Sequence, residues 1–180
     1  MYQSVLLIGC GAIGEEIIEK LKIETNIRVD QVIVRPGKEE SVALSVGKDI
    51  RVISSIIDVH PVPDFVMECA GHEAVLEFGP YFLNQGVDFG IISIGALSDP
   101  DLITQLEVAS KNGGSQLVIV PGAIGGIDSL AAARVENLEA VIYTSRKPPL
   151  SWKGSPADQK FDLTNIDKPT IIFQGSAREA

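Results

Sequence analysis

The sequence predicts an α/β fold with a doubly wound parallel sheet, followed by part of a second α/β domain. Short apolar runs alternate with amphipathic stretches through most of the 180 residues, and the first run ends in a glycine-rich turn. After Val120 this alternation gives way to a polar stretch that contains several prolines. Strands that alternate with helices form parallel sheets with helices on both faces.

The individual elements follow from two hydrophobic periods. Residues 5–8 are apolar throughout, as in a strand buried on both faces, whereas residues 15–21 place Ile17, Ile18 and Leu21 on one face of a helix. The same patterns predict further strands at 29–34, 51–54, 64–69, 90–93 and 116–120, and helices at 73–83 and 100–111.

The turn after the first strand fits the dinucleotide fingerprint Gly-x-Gly-x-x-Gly. Its first glycine makes the tight turn, its second lets the backbone approach the pyrophosphate, and its third permits close packing of helix and strand. A bare match is weak evidence, but this motif follows a strand and opens an amphipathic helix. The sequence therefore predicts a Rossmann-type cofactor site, with a purely structural turn as the alternative, at Gly9, Gly11, Ala12, Ile13 and Gly14.

The end of the second strand indicates which dinucleotide is used. NAD-selective proteins usually have Asp or Glu there, to bind the adenosine ribose. This chain has Arg35, followed by Lys38. A guanidinium can accept the 2'-phosphate of NADP or lie flat on the adenine, so NADP is expected to bind as well as NAD. The alternative is a solvated loop arginine.

Small residues follow the fourth strand at the edge where open α/β sheets bind ligands. They allow a nicotinamide ribose to pass close to the backbone, so we predict cofactor contacts at Cys69, Ala70, Gly71 and His72. His72 can equally serve only to open the next helix. Residues 93–98, after the fifth strand, are expected either to wall the nicotinamide side or simply to pack.

The second part of the chain begins with another glycine-rich turn, at residues 121–128. We place the domain boundary there, with a dinucleotide-binding domain at 1–120 and a partial second domain at 121–180. The turn can present N–H groups to an anion or act as a hinge. A helix at 129–135 and strands at 139–143 and 170–173 are predicted beyond it.

Charge and cysteine content exclude several classes of function. A net charge of -9 and a pI near 4.7 disfavour nucleic acid and anionic membranes as partners. The two cysteines have neither disulfide-framework nor zinc spacing, so no metal site is predicted. No apolar run has the length of a membrane helix and no secretory leader is recognisable, so we expect a cytoplasmic protein.

Five motifs of the chain resemble the L-aspartate dehydrogenase family, and the third and fifth are the more specific. They are residues 9–14, 68–72 (Glu-Cys-Ala-Gly-His), 122–128 (Gly-Ala-Ile-Gly-Gly-Ile-Asp), 143–148 (Tyr-Thr-Ser-Arg-Lys-Pro) and 173–180 (Phe-Gln-Gly-Ser-Ala-Arg-Glu-Ala). The resemblance implies NAD(P)-dependent oxidative deamination of L-aspartate to iminoaspartate, linked to NAD biosynthesis. It also implies a C-terminal domain that completes the active site and a homodimer.

The resemblance further implies that Ala123 contacts the nicotinamide. In so acidic a chain the substrate's two carboxylates need local donors, and Gly125, Arg146 and Lys147 are the candidates. The family's catalytic histidine is expected beyond Ala180, so no catalytic residue is assigned and the chain is predicted to be C-terminally truncated and inactive by itself. A non-catalytic dinucleotide-binding module, or another amino-acid-pathway dehydrogenase of similar build, remains the alternative.

Overall fold

The computed structural model describes residues 3–122, 124–136, 138–177 and 179. The chain forms two compact units, Met1–Gly125 and Gly126–Ala180. Among the helices described, none combines the length and the apolar character needed to cross a membrane.

The first unit is built on one six-stranded sheet in the order β3-β2-β1-β4-β5-β6, with every pair parallel. This order confirms the predicted doubly wound, Rossmann-type sheet. The strands are β1 (Gln3–Ile8), β2 (Ile27–Ile33), β3 (Arg51–Ile53), β4 (Phe65–Glu68), β5 (Asp88–Ile91) and β6 (Leu117–Ile119). The helices of the unit are α1 (Ala12–Leu21), α2 (Glu39–Val46), α3 (His72–Asn84) and α4 (Pro100–Gly113).

Both faces of the sheet are covered by apolar side chains. Successive residues of a strand point to opposite faces, so Leu6 and Ile8 join one cluster while Val5 and Leu7 join the other. The first cluster includes Phe78 and Phe82 of α3 with Leu102 and Leu106 of α4; the second includes Ile18 of α1 and Val46 of α2. Each fully buried side chain of this size contributes about 1.5–3 kcal/mol.

Helix α2 was not predicted from the sequence. Its apolar residues form no clear stripe, because Leu44 is 82% exposed and Val46 is the residue of the helix that is fully buried. Val42 is partly buried on the same core, and two such residues in a helix of eight give a weak periodic signal.

The second unit contains α5 (Ile127–Ala133) and the short 3₁₀ helices Arg134–Glu136, Pro149–Trp152 and Pro156–Gln159. The predicted strands at 139–143 and 170–173 were wrong: the described residues of this unit include no strand. Both segments are rich in β-branched and aromatic residues, yet Ile142 and Ile171 are 89% and 71% exposed. A strand needs a neighbour for its backbone hydrogen bonds, and propensity alone does not supply one.

Candidate dinucleotide site

The carboxyl ends of the six strands lie in one row across the sheet. The last residues of β3, β2 and β1 are in register as Ile53, Ile33 and Ile8. Ile8 is in turn level with Glu68 at the end of β4, and Glu68 with Ile91 at the end of β5. The strand order reverses between β1 and β4, which is where open α/β sheets bind their ligands.

The turns after β1 and β4 are in close contact at this point. Gly9 has a φ of +88°, and a Cβ atom there would lie 2.8 Å from the Cβ of Ala70 and 3.0 Å from the carbonyl oxygen of Cys69. A Cβ on Gly14 would lie 2.7 Å from the carbonyl oxygen of Gly9. The first and third glycines of the motif are therefore required by packing within the protein itself.

The second glycine of the motif is different. Gly11 is exposed, has a φ of -94° that any residue can adopt, and a Cβ there would meet no atom within 4 Å. Gly11 is the N-cap of α1. Because glycine has no side chain, the first turn of that helix, at Ala12 and Ile13, has no side-chain cap. Open space over uncapped N–H groups fits a pyrophosphate, as the fingerprint predicts.

Arg35 and Lys38 lie beyond the end of β2, as predicted, and both are exposed. The N–H of Lys38 donates to the carbonyl oxygen of Arg35 at 3.1 Å, which places both cations on one turn before α2. The sequence prediction did not include Glu39, the first residue of α2. The Ser54 hydroxyl donates to its carboxylate and holds the pKa of Glu39 below its ordinary value. Because this edge of the sheet carries two cations and a carboxylate, its chemistry is compatible with either NAD or NADP.

The predicted nicotinamide-side residues lie together after β4. His72 is exposed at the start of α3, and its ring lies against the 3₁₀ helix Ile94–Ser98, because a Cβ on Gly95 would be 2.6 Å from its Nε2 atom. Burial, with smaller contributions from Glu68 and Cys10, raises the pKa of the Cys69 thiol to about 12. Cys69 is therefore protonated at neutral pH and serves for packing rather than as a nucleophile.

Sequence reasoning gave no role to Glu68, which is fully buried at the end of β4. Its Oε1 atom accepts hydrogen bonds from the N–H groups of Ala70 and Gly71, both at 2.7 Å, and from the Ser93 hydroxyl at 2.8 Å. Its Oε2 atom accepts from the N–H groups of Ile92 and Ser93, at 3.3 and 3.0 Å. A glutamate that closes an otherwise apolar strand was the sequence signal for this site.

The residues predicted for the substrate fall in two places. Gly125 is exposed at the end of the first unit. Ala123, which is predicted to contact the nicotinamide and not the substrate, lies outside the described residues. Arg146 and Lys147 belong to the second unit and are exposed. The Lys147 ammonium lies 5.1 Å from the ring centroid of Trp152, a cation–π contact that holds its side chain over the indole.

The sheet order and the open glycine turn define a dinucleotide-binding domain of the kind found in dehydrogenases. The family model described as "Homoserine dehydrogenase, NAD binding domain" matches residues 9–120, and "Aspartate dehydrogenase, C-terminal" matches residues 128–180. The chain belongs to the L-aspartate dehydrogenase family.

Individual relatives agree with this membership. L-aspartate dehydrogenases of Ralstonia pickettii and Pseudomonas aeruginosa are 45% and 44% identical to the chain, over 98% of the chain and 67% of each relative. The crystal structure of aspartate dehydrogenase from Thermotoga maritima is similar with a TM-score of 0.58 and 25% identity, covering 75% of this chain and 52% of that one. The chain thus spans about two thirds of the length of the curated relatives.

Proposed function

We propose that the chain is the cofactor-binding and part of the substrate-binding portion of an NAD(P)-dependent L-aspartate dehydrogenase, which converts L-aspartate to iminoaspartate and is linked to NAD biosynthesis. The supporting observation is similarity to proteins named L-aspartate dehydrogenase along both units, at 43–45% identity. The match of a separate aspartate dehydrogenase model to residues 128–180 disfavours another amino-acid-pathway dehydrogenase.

The proposed roles in the first unit follow from its geometry. Gly9 and Gly14 shape the turn, and the open side of Gly11 receives the pyrophosphate over the N-terminus of α1. Arg35, with Lys38, lies where the adenosine ribose or its 2'-phosphate would be bound. The bound nicotinamide would supply the hydride acceptor, and the Cys69 to His72 turn, together with Ala123, would form its surroundings.

Arg146 and Lys147 of the second unit are proposed ligands of the substrate carboxylates, and Gly125 of the first unit is a separate candidate. L-aspartate carries two carboxylates and one ammonium, so it is a net anion and is repelled by a chain of net charge -9 unless local donors are supplied. Arg146 offers the fork of donors that matches a carboxylate, and the contact with Trp152 keeps the Lys147 ammonium in a fixed direction. We assign no acid/base residue within the chain; the family resemblance puts that histidine after the position of Ala180.

The test is an assay of NAD(P)H formation with L-aspartate, using residues 1–180 joined to the segment that follows the matched region in the Pseudomonas aeruginosa relative. We expect aspartate-dependent turnover with NAD or NADP, and none with homoserine. The matched control is the same fusion with Arg146→Ala and Lys147→Ala, for which we expect KM for aspartate to rise at least about tenfold, since each charge-assisted carboxylate contact contributes about 1.5–3 kcal/mol. Dinucleotide binding without turnover would favour the alternative, a non-catalytic binding module.

A homodimer and a cytoplasmic location are further parts of this proposal. Apolar side chains such as Ile142, Tyr143 and Ile171 are exposed in the second unit and suit a partner surface. Cys10 and Cys69 are free thiols, as in a reducing compartment. Light scattering on the fusion protein would measure the oligomeric state.

A further inference from the structure

The buried carboxylate of Glu68 occupies a special place in the sheet. Glu68 is the one ionisable side chain in the row formed by the last residues of the six strands, which are Ile53, Ile33, Ile8, Glu68, Ile91 and Ile119. Its neighbours in the row, Ile8 and Ile91, are 2% and 0% exposed, and Glu68 itself is 0% exposed. A charge in such a setting costs free energy unless its lone pairs are satisfied.

Five donors from two separate turns satisfy those lone pairs. The N–H groups of Ala70 and Gly71 come from the turn after β4. The N–H groups of Ile92 and Ser93 and the Ser93 hydroxyl come from the turn after β5, which lies 24–25 residues further along the chain. The carboxylate therefore links two turns that are separated in the sequence by α3 and β5.

The two joined turns also form the surroundings of the proposed nicotinamide site. Ala70 packs against Gly9, in the glycine-rich turn after β1. The 3₁₀ helix that begins directly after Ser93 contains Gly95, and the ring of His72 lies against it. Glu68 thus fixes the relative positions of the turns after β1, β4 and β5, at the place in the sheet where the strand order reverses. All five of its partners are N–H or O–H donors, and none of them is a cation.

We propose that Glu68 is a positioning residue for the nicotinamide end of the dinucleotide: it holds the turns after β4 and β5 in the binding arrangement, and its carboxylate, which forms no ion pair with a cation of the described residues, favours the oxidised, positively charged ring over the reduced, neutral one. This inference rests on the proposed dinucleotide function. Two effects on affinity can be separated. The fixed turns increase the affinity for both redox forms, whereas the charge increases the affinity for the oxidised form only.

The test is isothermal titration of NAD and NADH with the wild-type chain and with Glu68→Gln. Glutamine keeps the shape of the side chain, but its NH₂ group would face N–H donors that need an acceptor. We expect affinity for both forms to fall about tenfold, the effect of unsatisfied buried donors. We expect a further loss of at least about threefold for NAD alone, because the charge has gone.

Asp88→Asn is the matched control. Asp88 also accepts a backbone hydrogen bond, from the N–H of Gln116 at 2.7 Å, but it begins β5 and lies at the opposite edge of the sheet. We expect it to change neither affinity. A Glu68→Gln protein with wild-type affinities, or with equal losses for both forms, would overturn the inference while wild-type binding still supported the proposed function.

Ser93→Ala keeps the test decisive if Glu68→Gln does not fold. This change removes one donor to Oε1 and leaves the Glu68 side chain itself in place. We expect affinity for NAD and NADH to fall by the same factor of about three, the effect of one lost hydrogen bond. Unchanged affinities, or a loss confined to one redox form, would overturn the assignment.

Discussion

The two units of the chain use apolar residues in opposite ways. In the first unit the apolar residues of the sheet are covered from both faces, and Leu6, Leu7 and Val32 are 0% exposed. Among the described residues of the second unit, Ala157 and Leu163 are the buried apolar side chains, while Val135 and Ile142 are 85% and 89% exposed. The first unit therefore buries an extensive apolar core of its own, whereas the described residues of the second unit bury little apolar surface.

The difference shows which contacts each unit relies on. Parallel pairing gives every interior strand of the first unit a neighbour on both sides. The second unit is held largely by local turns, such as the Asp162 carboxylate accepting from the N–H and hydroxyl of Thr164 and from Asn165. Local turns of this kind are exposed and contribute little free energy, so we expect the second unit to have little stability of its own.

The largest expected effect comes from separating the units. We expect residues 1–125 to unfold cooperatively with a Tm within about 4 °C of the whole chain, a shift that corresponds to roughly 1 kcal/mol. Residues 126–180 alone should show no cooperative transition, because they bury too little apolar surface. Circular dichroism with heating measures both. A folded 126–180 fragment would contradict the comparison.

The next effect separates two glycines of the same turn. Gly11→Val should lower dinucleotide affinity at least about 100-fold with little change in Tm, since its side chain fills open space that the pyrophosphate needs. Gly14→Val should instead destabilise the first unit by about 1–3 kcal/mol, because its Cβ overlaps the carbonyl oxygen of Gly9. Titration calorimetry and denaturant unfolding measure the two quantities. Loss of stability in Gly11→Val, or wild-type affinity, would contradict this division of roles.

The sequence predicted the first unit better than the second for a physical reason. Residues that are close together in sequence determine the glycine-rich turn after β1, the buried strands and the amphipathic helices, as at Gly9 to Gly14. The failed strand predictions at 139–143 and 170–173 rested on local propensity alone, whereas a strand exists only if a distant segment pairs with it.

The candidate site shows the same limit. Arg35, Cys69 and His72 could be predicted to lie at one edge of the sheet because each follows a strand, and the carboxyl ends of parallel strands share one edge. The role of Glu68 was missed because its donors at Ile92 and Ser93 reach it only after β4 and β5 pair. The sequence indicates a non-local network of this kind by one feature, a charged residue within an apolar strand.

A smaller effect concerns the choice of dinucleotide. If Arg35 binds the 2'-phosphate, Arg35→Asp should shift the ratio of NADP to NAD affinity at least about tenfold towards NAD, about 1.4 kcal/mol. Lys38→Ala, on the same turn, should shift it less, because an ammonium lacks the fork of the guanidinium. The shift should be equal in residues 1–125 and in the whole chain. A ratio that does not move would make Arg35 a solvated loop residue.

The smallest effect tests how tightly the first unit packs at its binding edge, through the alkaline pH dependence of stability. Burial raises the pKa of Cys69 from 9.0 to about 12, so the folded chain holds this proton more firmly than the unfolded chain does. The stability tied to the protonated thiol is therefore fully present below pH 9.0 and is lost as pH rises from there towards 12. We expect the free energy of unfolding to fall over this range in the wild-type chain and to fall less in Cys69→Ala. Because the two proteins differ only at residue 69, the difference between the two denaturant-unfolding series isolates Cys69. Parallel pH dependences would mean that water reaches the thiol, and that the first unit is less tightly packed after β4 than its contacts with Gly9 indicate.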